Sequence, residues 1–237
     1  MKRKFKVIKI RNLALPAAVF LLSIAFAIPV LKSEKADANA VKTVYFTFDD
    51  GPSERTEEIL KILSEENIKA TFFVIGPSDT KTDERLFKIY SEGHSIGLHT
   101  MSHDYDKIYI SSENFLADLA YEREWIYSVT GEECKIFRFP GGSNNCNAPK
   151  WLIDEVKEKT KAEGLLWYDW NADGKDSLGE LLSAEEIAEN VLSSEFIGSE
   201  EVVVLLHDSS TRTTTPKALK ILISEFRKMG YEFKKLG

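Results

Sequence analysis

From residue 43 onward, short runs of β-branched and aromatic residues alternate with longer stretches in which apolar residues recur at helical spacing. Short runs of this kind, bounded by Gly, Pro, Asn or Ser, are typical of β-strands. The pattern predicts seven strands, at residues 43–48, 70–75, 95–99, 135–139, 165–170, 201–206 and 231–236.

Helical patterns fill the intervals between these strands. Ser53 is a candidate N-cap for a helix over residues 54–66, whose apolar stripe is Ile59, Leu60, Ile62 and Leu63. Apolar spacing together with Gly or Pro at the ends predicts five more helices, at residues 83–91, 112–131, 149–163, 183–197 and 216–229.

Strands that alternate with helices form parallel sheets joined by right-handed crossovers. The first strand is not followed by a Gly-rich dinucleotide loop, which removes the usual reason to prefer an open nucleotide-binding sheet. We therefore predict an α/β fold, a (β/α)7 barrel, within a single domain at residues 39–237.

The first 38 residues have a different character. Six basic residues lie within positions 2–11, an apolar stretch covers 13–31, and the small-residue run Ala36-Asp37-Ala38 follows. This order is typical of a secretory signal peptide. An uncleaved N-terminal membrane anchor is the alternative, since about 20 apolar residues can span a bilayer. Both interpretations place residues 39–237 outside the cytoplasm, either secreted or at the extracellular face of the membrane and cell wall. Membrane contact is then limited to the N-terminal segment.

The charge of the chain argues against a nucleic-acid partner. The full chain has a formal net charge of −7. Residues 1–38 hold eight basic and two acidic residues, so residues 39–237 keep 23 Lys and Arg against 36 Asp and Glu, a net charge of −13. Nucleic-acid binders carry a basic footprint.

Reactive side chains follow the C-terminal ends of five predicted strands. Active sites of β/α barrels are built at that end of the strands. The residues concerned are Asp49, Asp50, His99, Arg138, Asp169, His207 and Asp208.

Asp50, His99 and His103 are candidate ligands for one divalent metal ion. A catalytic zinc site uses three protein ligands and leaves one position open for water. Two histidines four residues apart face the same way if their segment is helical.

A general base and a general acid can be chosen from the remaining residues. Asp49 and Asp50 point to opposite sides if both keep strand geometry, which leaves Asp49 free to act as a base. His207 is the candidate acid, because the unperturbed histidine pKa of about 6.5 suits proton donation. Asp169 and Asp208 are both candidates for a carboxylate that orients its ring.

Together these runs resemble the five motifs of the polysaccharide deacetylases, the NodB-homology family, also called carbohydrate esterase family four. In chain order they are Thr47–Gly51, His99–His103, Arg138–Gly142, Asp169-Trp170 and Leu205–Asp208. The resemblance covers the chain from about residue 43 to the end and implies a distorted (β/α) barrel.

The resemblance also implies a role for each residue. Asp49 is the base, His207 protonates the departing amine, Arg138 pairs with Asp49, and Asp169 tunes His207. Asp50, His99 and His103 hold the metal, with zinc expected first and cobalt or nickel as alternatives.

The third motif departs from the family pattern at Gly141, where a Tyr is usual. The Tyr contributes a backbone N–H to the oxyanion, and a glycine retains that N–H. We expect Gly141 to serve there and Leu205 to line the barrel beside the acetyl methyl group. Trp167, Tyr168 and Trp170 are candidates to offer an apolar face to a sugar ring, with core packing as the alternative for two of the three.

Residues 169–180 fit the EF-hand calcium-loop pattern. A predicted strand precedes the run, whereas an EF-hand loop lies between helices. Asp176 also stands where such loops usually carry an apolar residue. We interpret the segment as an acidic turn. Whether Cys134 and Cys146 form a disulfide stays open, because spacing does not settle their approach.

The predicted function is that of an exported, metal-dependent enzyme, a monomer, that hydrolyses N-acetyl groups of N-acetylglucosamine-containing glycans. Peptidoglycan is the first expected substrate and chitin-like oligomers the second. The alternatives are an acetyl-xylan O-deacetylase and a non-catalytic cell-wall-binding homologue. An iron oxygenase shares the two-histidine, one-carboxylate ligand set but gives no reason for Asp49 and His207.

Overall fold

The computed structural model describes residues 41–177 and 179–237. The predicted signal peptide or anchor at residues 1–38 lies outside the described residues, so the domain boundary stays a prediction. Among the described residues no helix is both long and apolar enough to cross a bilayer.

One parallel sheet forms the centre of the fold. Its strands are β1 Thr43–Gly51, β2 Thr71–Val74, β3 Ser95–Leu98, β4 Ile136–Phe137, β5 Leu166–Trp167, β6 Ala172–Asp173, β7 Glu201–His207 and β8 Glu232–Lys234. The order across the sheet is β5-β4-β3-β2-β1-β7-β6. The eighth strand, β8, pairs with residues 43–45 of β1, whereas β2 pairs with β1 from Thr47 onward.

All seven predicted strands are present, and β6 is an addition of two residues. The sheet is curled, and β5 and β6 form its two edges. Hydrogen bonds therefore do not close the barrel within residues 41–177 and 179–237. This is the distorted form of the (β/α)7 barrel that the sequence predicts.

Helices pack on the outside of this sheet. They are α1 Thr56–Glu65, α2 Thr82–Ser91, α3 Tyr105–Ile108, α4 Ser112–Thr130, α5 Lys150–Ala162, α6 Ala184–Leu192 and α7 Thr215–Lys228. The short α3 was not predicted, and α6 ends five residues earlier than the predicted 197. Gly131, at a φ of 74°, follows α4 at the predicted place, because glycine adopts the left-handed conformation without steric cost.

The central strands of the sheet are buried on both faces, as in most parallel sheets, whereas both residues of the edge strand β5 are exposed. On β7, Val202, Val204 and Leu206 belong to the large cluster between sheet and helices. Val203 belongs to a small cluster inside the barrel, together with Phe73 and Ile136. Because side chains alternate along a strand, Leu205 and His207 share the interior face with Val203.

The two cysteines are not bonded to each other. Cys134 is buried and Cys146 is exposed, and both are free thiols. The disulfide that the sequence left open is absent.

Candidate active site

Asp49 lies at the end of β1 on the interior side of the barrel. Alternation along the strand puts Tyr45, Thr47 and Asp49 on that side. The fully buried Arg138 donates hydrogen bonds from Nη1 to Asp49 Oδ1 at 2.8 Å and to Thr47 Oγ1 at 2.7 Å. Its guanidinium also lies over the Phe73 ring, 4.2 Å from the centroid. One carboxylate oxygen of Asp49 is therefore held, and the other is left for chemistry.

Asp50 is turned towards Asp49 by a bulge in β1. The pairing of β1 with β2 shifts register between Asp49 and Gly51, and Asp50 has a φ of 69°. Asp49 Oδ2 and Asp50 Oδ1 each lie 3.6 Å from His99 Nε2. The two carboxylates were expected on opposite sides only if both residues kept strand geometry, and the bulge interrupts that geometry at Asp50.

His99 and His103 also converge without the helix that would favour it. The segment between them is a non-helical turn in which Thr100 and His103 have φ values of 74° and 47°. His103 Nε2 lies 3.3 Å from Asp50 Oδ1, and the two imidazole centroids are 5.2 Å apart. One potential ligand atom each from Asp50, His99 and His103 lies within 4.8 Å of the others.

The donor set fits a divalent metal ion. His99 Nδ1 is 2.9 Å from the carbonyl oxygen of Arg138, and a carbonyl can only accept. Nδ1 therefore carries the hydrogen, and Nε2 presents a lone pair to the carboxylates. Burial lowers the pKa of His99 although both carboxylates raise it, which favours the neutral ring. A ligand histidine is commonly fixed in this way by a carbonyl on its other nitrogen.

Glu122 holds the backbone of the segment that contains His99 and His103, a role that the sequence analysis did not predict. It is fully buried in α4, and its Oε1 accepts the backbone N–H of His99 at 2.9 Å. Burial raises the pKa of Glu122 well above its ordinary value. Its position between Leu119 and Ile126, on the buried stripe of α4, was the available signal.

His207 stands opposite Asp49 on the neighbouring strand, since the two residues are partners in the β1–β7 register. Its Nδ1 lies 2.8 Å from Asp176 Oδ1, and its backbone N–H donates to Asp176 Oδ2 at 3.1 Å. Thr215 Oγ1 donates to the same Oδ2 at 2.6 Å. Burial lowers the pKa of His207, but the hydrogen bond and charge of Asp176 outweigh it, with help from Asp49 and Asp50, and raise this pKa to about 9.

The residue that holds His207 is therefore Asp176, and the expectation for Asp169 is corrected. Asp169 accepts hydrogen bonds from the backbone and hydroxyl of Ser143, at 2.9 and 2.5 Å. The Asp169 carboxylate therefore holds the loop that follows Arg138 and does not orient His207. The misfit of Asp176 to the calcium-loop pattern was the sequence signal for its separate role.

Asp208, the other candidate partner of His207, is directed to the opposite side. It is fully buried and accepts hydrogen bonds from Ser53 Oγ at 2.8 Å and Thr56 Oγ1 at 2.6 Å. Burial raises its pKa to about 6, although both hydroxyls lower it. Asp208 thus ties the end of β7 to the start of α1, because neighbouring side chains of a strand face opposite ways.

The residues predicted to meet substrate lie beside this cluster. A methyl group added at Gly142 would lie 2.9 Å from the Trp170 ring, so the indole packs directly on the loop. Leu205 is buried, 4% exposed, on the His207 side of β7. A pocket of about 230 Å³ opens here, lined by Gly141, Gly142, Ser143, Asn144, Asp169 and Trp170.

Comparison with known proteins agrees with this geometry. The family model described as polysaccharide deacetylase matches residues 36–155. YheN of Bacillus subtilis, a protein assigned to the same family, is 30% identical over 196 residues, covering 81% of this chain and 66% of that protein, just under two thirds of its length. A peptidoglycan-N-acetylglucosamine deacetylase of Bacillus cereus is 32% identical over 200 residues, covering 82% of this chain and 86% of the relative.

Solved structures give the same result. The catalytic domain of a peptidoglycan N-acetylglucosamine deacetylase from Eubacterium rectale matches with a TM-score of 0.77 and 33% identity, covering 83% of this chain and 89% of that one. A CE4 esterase from Streptococcus mutans matches with a TM-score of 0.76 and 27% identity, covering 84% and 87%. The predicted fold type is thereby confirmed, and the chain belongs to the polysaccharide deacetylase family.

Proposed function

We propose that this protein is a metal-dependent N-deacetylase of cell-wall peptidoglycan, which releases acetate from N-acetylglucosamine units. One observation carries the proposal. Asp49 and His207 are register partners on adjacent strands, and the Asp50, His99 and His103 ligand set lies at the same end of the sheet. A base and an acid on either side of a hydrolytic metal site are what amide cleavage requires.

A divalent metal ion would be held by Asp50 Oδ1, His99 Nε2 and His103 Nε2, the atoms that converge in this cluster. A divalent ion bound there supplies Lewis acidity, which polarises the acetyl carbonyl and lowers the pKa of water. Zinc suits two imidazoles and one carboxylate, and cobalt or nickel can take the same ligands.

Asp49 acts as the general base. Arg138 holds its Oδ1 and leaves Oδ2 facing the ligand set, 3.6 Å from His99 Nε2. Oδ2 takes a proton from the attacking water as its oxygen bonds to the acetyl carbon. The contact with buried Arg138, 2.8 Å from Nη1 to Oδ1, fixes the orientation of this carboxylate.

His207 acts as the general acid. With its pKa raised to about 9, the ring is protonated at neutral pH. Nδ1–H stays bonded to Asp176, and Nε2–H transfers its proton to the amide nitrogen. The carbon–nitrogen bond breaks, and acetate and a free sugar amine leave.

The tetrahedral oxyanion needs a hydrogen-bond donor beside the metal, and the Gly141 N–H is assigned to it. Trp170 offers its ring face to the sugar, and Leu205 bounds the space for the acetyl methyl group. Asp169 keeps the Gly141–Gly142 loop in place through Ser143.

Peptidoglycan is favoured as the substrate because the relatives from Bacillus cereus and Eubacterium rectale are peptidoglycan N-acetylglucosamine deacetylases. The basic, apolar and small-residue order of residues 1–38 favours export to the wall, by a signal peptide or an anchor. The Streptococcus mutans neighbour is an esterase, which keeps ester hydrolysis as the second candidate function, with acetylated xylan as the substrate to test.

Acetate release by the purified protein tests these candidates. Peptidoglycan, chitin oligomers and acetylated xylan are incubated with the protein, with chelator, and with chelator followed by zinc. We expect chelator-sensitive release from peptidoglycan that zinc restores. Release from xylan alone would move the protein to the esterase function, and no release from any substrate would contradict the proposal.

A further inference from the structure

Gly141 leaves open a space that the hydroxyl of Tyr105 borders. A methyl group added at Gly141 would lie 3.2 Å from Tyr105 Oη and 3.1 Å from Asn145 Cβ, and the backbone at Gly141 has a φ of 77°. A side chain at position 141 would therefore press on the Tyr105 hydroxyl and strain the backbone. The glycine and the phenol fit each other.

The Tyr105 ring is fixed between the ligand set and the loop. It packs edge-on against His103, with centroids 5.4 Å apart, and against Tyr109 at 5.8 Å. Tyr109 in turn donates a hydrogen bond to the carbonyl of Pro140 at 2.7 Å. Asn145 Nδ2 donates to Gly142 O at 2.6 Å and to Tyr109 Oη at 3.3 Å. The same contacts thus position both Tyr105 and the loop that contains Gly141.

The Tyr105 hydroxyl is free to bind a ligand. Within residues 41–177 and 179–237, no group forms a hydrogen bond with it, whereas Tyr109 Oη has two partners. Tyr105 is also half-buried, so the hydroxyl is both accessible and fixed in place. A buried or half-buried tyrosine hydroxyl usually has a partner, which a bound substrate would provide.

We propose that Tyr105 contacts the substrate: its hydroxyl donates a hydrogen bond to the acyl oxygen of the bound acetyl group, alongside the Gly141 N–H. This proposal rests on the proposed deacetylase function. It assigns a second donor to the developing oxyanion, on the His103 side of the cleft. The Tyr105 hydroxyl, at the start of α3, thus lies next to the position that a Cβ atom at residue 141 would occupy.

Tyr105→Phe tests the assignment, because it keeps the ring that packs on His103 and Tyr109 and removes only the hydroxyl. Tyr121→Phe, on the exposed face of α4 with 68% of its surface accessible, is the matched control. The full chain is loaded with zinc, and its metal content, thermal midpoint, kcat and KM on N-acetylglucosamine oligomers are measured. Acetate binding to the loaded protein is measured by calorimetry.

Removing one oxyanion donor lowers kcat by roughly 100- to 1,000-fold in a well-studied protease, and we expect roughly 10- to 100-fold here because Tyr105 is partly exposed. KM, metal content and thermal midpoint should stay as in the wild type. The dissociation constant for acetate should rise at least about fivefold, since the carboxylate product presents the same acyl oxygen.

Wild-type kcat and acetate affinity in Tyr105→Phe would overturn the proposal, as would a parallel loss of metal and activity. If the wild-type protein releases no acetate from any glycan, the deacetylase function fails. The acetate affinities of the two proteins then still decide the contact, because binding of acetate needs no turnover.

Discussion

The two sides of the cleft are built differently. The metal half, Asp50, His99 and His103, brings a lone pair of His99 to 3.6 Å from two carboxylate oxygens. In the acid half, His207, Asp176 and Thr215, both oxygens of Asp176 accept hydrogen bonds from protein groups. The Asp176 carboxylate and His207 Nδ1 are thus paired within the protein. In the metal half, a lone pair of His99 faces oxygens of Asp49 and Asp50, and a cation between them would relieve their repulsion.

The backbone differs in the same way. Asp50 and His103 adopt left-handed conformations, with φ values of 69° and 47°, whereas His207 ends a regular strand. Left-handed non-glycine residues cost free energy and collect at functional sites. Binding of an ion would therefore stabilise the strained metal half, whereas the acid half is stable without an ion.

The largest expected effect comes from removing a ligand. Asp50→Ala should lose bound zinc and lower acetate release by more than about 1,000-fold, beyond the 10- to 100-fold known for residues that only orient ligands. The metal-free variant should unfold at a lower denaturant concentration than metal-free wild type, because alanine tolerates the φ of 69° at this position less well than aspartate does.

Metal content by mass spectrometry and chemical unfolding with chelator present measure both effects. Asp106→Ala, an exposed acid in α3, is the matched control and should keep metal and activity. Stoichiometric metal in Asp50→Ala would refute the ligand assignment.

Removing the general acid, His207, should lower turnover severely and leave metal binding intact. We expect His207→Ala to lower kcat by roughly 100- to 10,000-fold, the range for general acid–base catalysis, with stoichiometric zinc retained. Steady-state kinetics and metal analysis of one preparation provide the measurement. Unchanged turnover would remove His207 from the mechanism.

Asp176→Asn should shift the pH dependence. The folded pKa of His207, about 9, lies above the ordinary 6.5, so wild-type kcat should fall as pH rises through about 9. Without the Asp176 carboxylate, burial dominates and lowers the pKa of His207. The fall in kcat on the alkaline side of the pH profile, the alkaline limb, therefore moves to lower pH. The Asn oxygen can still accept from Nδ1–H, which keeps the ring oriented.

Stability should change with the same sign. A raised histidine pKa stabilises the folded state fully below pH 6.5, and this contribution is lost between pH 6.5 and about 9. The free energy of unfolding of wild type should therefore decline over that interval relative to Asp176→Asn. Parallel pH profiles of the two proteins would contradict the pairing.

Asp169→Asn should have the smallest effect of these substitutions, and it contrasts directly with Asp176→Asn. Because Asp169 bonds Ser143 and not His207, the alkaline limb should stay near pH 9. Loosening of the loop should raise KM a few-fold, since one charged acceptor becomes neutral. A downward shift of the limb equal to that of Asp176→Asn would restore Asp169 as the partner of His207.

Much of the site was predictable because it follows local rules. Alternating apolar patterns located β1 and β7, and parallel strands end at one edge, so Asp49, Asp50, His99 and His207 were expected together. The family resemblance, and not a local rule, paired Arg138 with Asp49, and the two side chains are 2.8 Å apart.

The partner of His207 was not predictable in this way. Asp176 follows the two-residue strand β6, which pairs with β7 at Ala172 and Asp173. That short pairing depends on contacts with distant residues and leaves little trace in the local pattern. The residues left Asp169 and Asp208 as the candidates, and the family resemblance assigned the role to Asp169.

The sequence alone predicts seven of the strands, six of the helices, the end of the barrel that carries the reactive side chains, and three candidate metal ligands, because side-chain periodicity and residue chemistry are local. The orientation of each polar side chain in the site depends on the tertiary structure. The bulge that turns Asp50, the left-handed turn that joins His99 to His103, and the approach of Asp176 and Tyr105 all depend on strand register and loop dihedrals, which packing between distant segments sets.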